Sequence, residues 1–358
     1  MRIRKYDLCV IFTLIIAILA DLSKAFAWGE RGHDVVARVA ARLVDTRLKG
    51  NELKYGTILH RKENMLGHLA NVPDIVWRSG PEEVTKSNSP THYFDIDDLV
   101  KKPVFASFPR RFEDANQVAQ KQGHKLATDI GTAPWRVAQL AELMKNTLAK
   151  LPHKPNGGVN PELESIVNQA LVYGGTMAHF VGDLGQPLHT TANYDGWDDG
   201  QGGIHSYFEE AIVDELPLNM DYEVFAVALR EEPFKHVLTK AYKSASNFRT
   251  KIEDFVFCLA LDSYSHIDDL LRIDKSLAII KPSKTEPIKI PAERRAAITV
   301  ANSFSPMIIE RLAASADTLA TIWIDAWKEA GSPDLNYYRS YNYQIQPAYI
   351  VSDYTPAQ

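Results

Sequence analysis

His179-Phe-Val-Gly-Asp183-Leu-Gly-Gln-Pro187-Leu-His189 closes a long run of helical period, and the rest of the chain is read outward from it. His179 and Asp183 are four residues apart, so on an α-helix they lie one above the other on the same face. Pro187 has no amide hydrogen to continue the helix and presents His189 from the turn that follows. An imidazole and a carboxylate at this spacing are nitrogen and oxygen ligands of the kind zinc accepts. A single such pair is equally the pattern of a surface ion pair.

Twenty residues downstream, Gly203-Ile-His205-Ser-Tyr-Phe-Glu209 repeats the geometry. Two pairs so close together, with His189 between them, supply enough ligands for more than one ion. Glu209 also reads as a solvated partner of a nearby base, because Glu210 and Asp214 continue the acidic run. Upstream lie Asp74, in Leu69-Ala-Asn-Val-Pro-Asp74-Ile-Val-Trp-Arg78, and His92, in Pro90-Thr-His92-Tyr-Phe-Asp95. Asp74 after a proline is an ordinary first-turn acid. His92 before two aromatics fits a buried strand-like segment, and Asp95, Asp97 and Asp98 compete for any carboxylate role.

Helical spacing dominates elsewhere. Val35, Val36, Val39, Ala40 and Leu43 share one face, similar stripes recur over 136–151 and 162–180, and a further helix is predicted from Met307 to Ala330. On that last helix Ile308, Leu312, Ala316, Leu319, Trp323 and Trp327 form one stripe, with Gly331 as its stop. Three segments break the period: Leu151 to Asn160, Ala278 to Pro291, and the tail from Ser332. The expected fold class is all-α: a single domain over 28–331, with the tyrosine-rich tail 332–358 packing on its surface. No repeat suggests a solenoid.

The amino terminus reads as an export leader over residues 1–27. Arg2, Arg4 and Lys5 form a basic head, Leu8 to Leu19 is apolar, and Ala25-Phe26-Ala27 is a small-x-small cleavage site. The apolar run is too short to span a bilayer. A cut after Ala27 makes Trp28 the first residue, with His33 five positions on, so a free α-amino group and an imidazole come within reach of one metal. Of the two cysteines, Cys9 leaves with the leader and Cys258 remains, so neither an internal disulfide nor a disulfide-linked partner is expected. There is no Asn-x-Ser/Thr acceptor, which favours bacterial export, to the periplasm or the medium. The formal net charge of −5 becomes about −7 without the leader. That balance gives no general attraction to polyanions, so chemistry on a phosphodiester needs a local positive centre such as bound metal.

The order Trp28, His33, Asp74, His92, His179, Asp183, His189, His205, Glu209 resembles the trinuclear zinc phosphodiesterases, a superfamily that joins bacterial phospholipases C with the S1/P1 single-strand nucleases. Ile322-Trp323-Ile324-Asp325-Ala326-Trp327 is similar to that superfamily's closing helix. The resemblance implies three zinc ions in a cleft between helices. It implies Asp74, His92, His179 and Asp183 around one ion, and His189, His205 and Glu209 around a second. The third would take the α-amino and carbonyl groups of Trp28, His33 and a shared Asp183. It also implies that Asp74 orients or deprotonates the attacking water.

The two branches are mixed in this chain. Trp28 to His33 at a spacing of five resembles the nucleases. Gly203 to Asp214, with glutamate as last ligand and a short connection from His189, resembles the phospholipases, and this places phospholipase C first and single-strand nuclease second. Tyr93, after His92, sits where the nucleases carry an aromatic able to stack on a base. The expected partner is a phospholipid at a membrane surface or, alternatively, single-stranded nucleic acid. Trp77, Phe105, Phe108 and Trp197 are candidates for a lipid-facing rim, or else core. A non-catalytic secreted zinc-binding protein is the third reading. Two insertions, around 100–160 and after 275, have no assigned role.

Overall fold

One long helix, buried over its second half, organises the chain in a computed structural model that describes residues 28–152, 160–230, 247–335, 338–339 and 345–355. The principal helices are α1 (Gly29–Arg47), α2 (Glu63–Val72), α3 (Ala133–Leu148), α4 (Pro161–Gly185), α5 (Met220–Arg230), α6 (Phe248–Tyr264) and α7 (Ala301–Glu329). The all-α reading is the observed fold. The leader 1–27 and Tyr337, Tyr341 and Tyr343 of the tail lie outside the described residues.

The central helix, α4, starts sharply. The Asn160 side-chain oxygen accepts the amide hydrogens of Glu162 and Leu163, Pro161 occupies the first turn, and Glu162 and Glu164 face the positive end of the dipole. From Ala170 to Gly185 every residue but Tyr173 is buried, the signature of a helix enclosed on all sides. It packs against α1, α2, α3, α6 and α7. Gly175 lets α2 close in, since a methyl there would sit 2.5 Å from Leu69 Cβ. The same helix runs five residues beyond the predicted end, which places His179 and Asp183 inside it.

On α7 the predicted stripe is buried throughout, from Ile308 to Trp327. The helix begins at Ala301, upstream of the predicted Met307, and takes Pro306 into its second turn at the loss of one backbone hydrogen bond. Phe94, Phe108, Trp135 and Phe257 meet in edge-on or tilted contacts at 5.3–5.9 Å, tying α3 and α6 to the segment that carries His92. Two members of the proposed lipid rim therefore belong to the core: Trp77 and Phe108 are buried, because their rings fill space between packed elements. Phe105 lies under the Arg110 guanidinium, and Trp197 under the Lys289 ammonium.

Two irregular regions adjoin this core. Residues 279–294 form a hairpin, β1 (Ile279–Lys281) antiparallel to β2 (Glu293–Arg294), where the sequence showed only a break in helical period. Within the tail, the carbonyl oxygens of Ile345, Pro347 and Val351 meet His68, Trp77 and Gln139, and Asp353 takes a two-pronged bond from Arg249. Cys258 is free and buried. No helix among the described residues is long and apolar enough to cross a membrane.

Candidate metal centre

All nine positions singled out in the sequence are buried, and the eight histidine and acid side chains among them fall into three groups. His33 meets His179 and Asp183; Asp74 meets His92 and His179; His189 meets His205 and Glu209. Local structure places each one. Asp74 and Glu209 sit in wide, π-helical turns, Pro73–Trp77 and Tyr207–Ile212, which swing their carboxylates toward α4. Pro187 ends the helical run and a short 3-10 turn, Pro187–Thr190, delivers His189. His92 follows a 3-10 turn rather than lying in a strand-like segment.

The spacing suits an ion. Ligands about 2.0–2.1 Å from a tetrahedral zinc stand about 3.3 Å from one another. Around Asp183 the distances are 3.3 Å to His92 Nδ1, 3.4 Å to His179 Nε2 and 3.5 Å to His33 Nε2. His92 Nδ1 stands 3.6 Å from Asp74, and His189 Nε2 3.6 Å from Glu209. The facing imidazole nitrogens are closer, 2.8 Å for His179 and His92 and 3.1 Å for His205 and His189. Both carboxylate oxygens of Asp183 are buried without a hydrogen-bond partner. Leaving such a group unsatisfied is costly, and a shared cation removes the cost. The donor set therefore fits zinc on this chain's own geometry.

The outer face of each ring is fixed as well. His179 Nδ1 donates to the Ala70 carbonyl at 2.8 Å, His189 Nδ1 to the His92 carbonyl at 2.6 Å, and His205 Nδ1 to the Tyr194 carbonyl at 2.9 Å. Each bond puts the proton outside and turns the other lone pair inward. Gln186, inside the opening motif, donates to Glu209 at 3.0 Å, and the Asn88 amide meets His92 Nε2 at 2.9 Å. Neither had been singled out in the sequence. Gln186 was visible in the motif, whereas Asn88 had no signal beyond its spacing of four from His92.

Burial holds the His92 and His179 imidazoles well below their usual range, with the Arg78 charge adding to it at His92 and the His33 and His92 rings at His179. They are thus neutral, the form that binds metal. Burial, reinforced by Asp74 and Glu209, pushes the Asp183 carboxyl well above the usual range. Glu209 is pushed up by burial but held at about 2 because His205 and His189 outweigh it. His205 is correspondingly raised, the Glu209 charge overcoming burial.

Trp28 enters α1 with left-handed backbone, its indole nitrogen donating to the Gly182 carbonyl at 2.7 Å and its ring against Phe208. Gly182 lets His33 close on the same helix: a methyl there would stand 2.8 Å from His33 Nδ1. A surface cleft and an exposed tyrosine adjoin the centre. A cleft of about 610 Å³ beside Gly29 is lined by four acids, Glu30, Asp34, Glu210 and Asp214, against Arg31 and His68. Tyr194, 52% exposed, lies edge-on to the His205 ring at 5.7 Å. Burial raises both the Tyr93 and the Tyr194 hydroxyls, with the nearby Asp95 adding to each. Burial, then Asp97 and Asp98, raises Asp95 to about 8.

Residues 28–232 match the sequence profile described as S1/P1 Nuclease. No curated protein matches the sequence. Among solved structures, the alpha toxin of Clostridium absonum is 14% identical, with a TM-score of 0.44 over 82% of this chain and 63% of that one. The alpha-toxin of an avian Clostridium perfringens strain is 11% identical, with a TM-score of 0.43 over 85% and 65%. The chain thus spans less than two thirds of either toxin. The profile covers more than half of this chain and includes all nine buried positions, and the chain belongs to the S1/P1 nuclease family.

Proposed function

We propose that the protein is an exported, zinc-dependent phospholipase C, hydrolysing zwitterionic glycerophospholipids to diacylglycerol and a phosphorylated headgroup. The observation that carries the substrate class is the set of four acids, Glu30, Asp34, Glu210 and Asp214, lining the cleft beside Gly29, together with the exposed Tyr194 ring against His205. Carboxylates and aromatic faces attract an ammonium headgroup and repel a polyanion. Asp74, His92, His179 and Asp183 would hold one zinc, His189, His205 and Glu209 a second, and Trp28, His33 and Asp183 a third.

Zinc bound there supplies a water acidified toward a pKa of about 7 and positive charge beside the phosphoryl oxygens. Asp74 would accept a proton from the attacking water, and the diacylglycerol oxygen would leave on taking a proton from solvent or from the Asp74 carboxyl so formed. Arg78 Nη1, 3.3 Å from Asp74 Oδ1, fixes the carboxylate for this task. Adding one residue before a mature Trp28 should lower zinc content and turnover together, because it moves the amino ligand. Metal analysis showing unchanged zinc would remove Trp28 from the ligand set.

Single-strand nuclease is the second reading, favoured by the family match and by the exposed Tyr194 ring, which offers a stacking face to a base. The deciding experiment sets the mature zinc-loaded protein on phosphatidylcholine vesicles and on single-stranded DNA and RNA, with a chelated control. Diacylglycerol release far above nucleotide release is expected; the reverse establishes the nuclease. No turnover on either, with zinc bound, leaves the non-catalytic reading.

A further inference from the structure

The hairpin at 279–294 lies beyond the family match and contributes little to the core, yet it is seated firmly. Ser283 donates its backbone amide to the Gly200 carbonyl at 2.8 Å and accepts the Gly202 amide on its hydroxyl at 3.1 Å; Ala292 donates to the Gly202 carbonyl at 2.8 Å. Arg294 pairs with the buried Asp274 at 2.8 Å and bonds the carbonyls of Gln201 and Gly202. The loop it grips runs from Tyr194 to His205, so the hairpin stands next to the stretch that carries one candidate ligand and the exposed Tyr194.

What it presents outward is unusual for a solvated hairpin. Ile280, Ile288 and Ile290 are 60%, 66% and 54% exposed, interleaved with exposed Lys281, Lys284 and Lys289. From 279 to 295 there are five basic residues and two acidic ones, in a chain whose net charge is −5. A polyanionic strand would use the lysines and leave the isoleucines in water. A lipid surface uses both, the apolar side chains at the headgroup boundary and the ammonium groups on anionic lipids.

We infer that this hairpin is a docking finger for an anionic phospholipid surface, holding the Tyr194 side of the metal centre against the bilayer. The inference deepens the phospholipase reading and rests on it for its partner, but binding is measured apart from turnover, so the two can fail separately.

The test uses the mature, zinc-loaded, full-length protein and cosedimentation with vesicles of phosphatidylcholine, with and without phosphatidylglycerol. Ile288→Asp with Ile290→Asp should lower the bound fraction on mixed vesicles by about tenfold or more, since it removes insertion from two side chains. Hydrolysis of soluble bis(p-nitrophenyl) phosphate should stay unchanged, which also reports that the variant is folded. Lys281→Gln, Lys284→Gln and Lys289→Gln together should weaken binding only where phosphatidylglycerol is present and reduce its salt dependence. Wild-type binding retained in the isoleucine variant, or no vesicle binding by the wild type, overturns the inference. So does a lysine variant that loses single-stranded oligonucleotide binding but keeps vesicle binding. Hairpin-dependent vesicle binding without diacylglycerol release would uphold docking and defeat the phospholipase reading.

Discussion

Asp183→Asn should reduce bound zinc from about three ions to about one per chain and turnover by at least about a thousandfold, since a missing shared ligand disassembles the charge that the reaction uses. The geometry sets this expectation: one oxygen of Asp183 faces His33 and the other faces both His92 and His179, so one substitution strikes two of the three groups. Asp74, His92 and His179 would keep their own contacts but lose the Asp183 oxygen that faces both imidazoles, while His189, His205 and Glu209 lie apart from it. Stripped of metal by a chelator, the same variant should be more stable than stripped wild type. Asp183 is buried, both its oxygens lack hydrogen-bond partners, and its carboxyl is pushed well above the usual range. A carboxyl whose folded pKa exceeds its unfolded value imposes no penalty at pH below the unfolded value of about 3.9, and a growing one as pH rises above it. Asparagine carries no such penalty. Its advantage in the stripped state should therefore be small near pH 4 and grow toward neutrality, by about 1.4 kcal/mol for each pH unit between the unfolded and folded pKa values. Urea denaturation of both stripped proteins at the two pH values, beside metal analysis, measures it. A stripped variant less stable at both would show that Asp183 is a structural hydrogen-bond acceptor in its own right.

The parts of this centre legible in sequence are those fixed by local geometry. His179 with Asp183, and His205 with Glu209, are pairs four apart, and helical backbone brings each to 3.4 and 2.9 Å without help from the rest of the fold. His33 was legible through the resemblance, but why it can lie against Asp183 was not: that depends on Gly182 having no side chain, a feature of α4 read only once α1 is packed on it. Tyr93, Asp95 and Tyr194 gather from segments a hundred residues apart, and in the sequence Asp95 was one acid among three. Trp77 was read as a possible rim because an exposed and a buried indole look alike in sequence; its nitrogen in fact meets the Pro347 carbonyl in the tail. The hairpin at 279–294 was invisible because its strands are only three and two residues long, too short for a period of two to register.

Asp74→Asn should cut kcat by about a hundredfold or more while KM for the lipid changes little, because a general base acts on the transition state rather than on substrate binding. Asparagine keeps the volume and one oxygen of Asp74, so it still offers a ligand atom to the group of His92 and His179, but it no longer takes a proton. Zinc content separates the two roles. If it stays near that of wild type while kcat collapses, the lost function is proton transfer. If zinc falls in proportion to activity, Asp74 serves chiefly as a ligand and the base lies elsewhere. Arg78→Gln sharpens the distinction, since Arg78 holds Asp74 at 3.3 Å. As a positioning residue, Arg78 should lower kcat by about tenfold with zinc retained. A variant with wild-type kcat would mean that the wide turn Pro73–Trp77 alone aims the carboxylate, and that the backbone of this family member, rather than its charge, sets the geometry of attack.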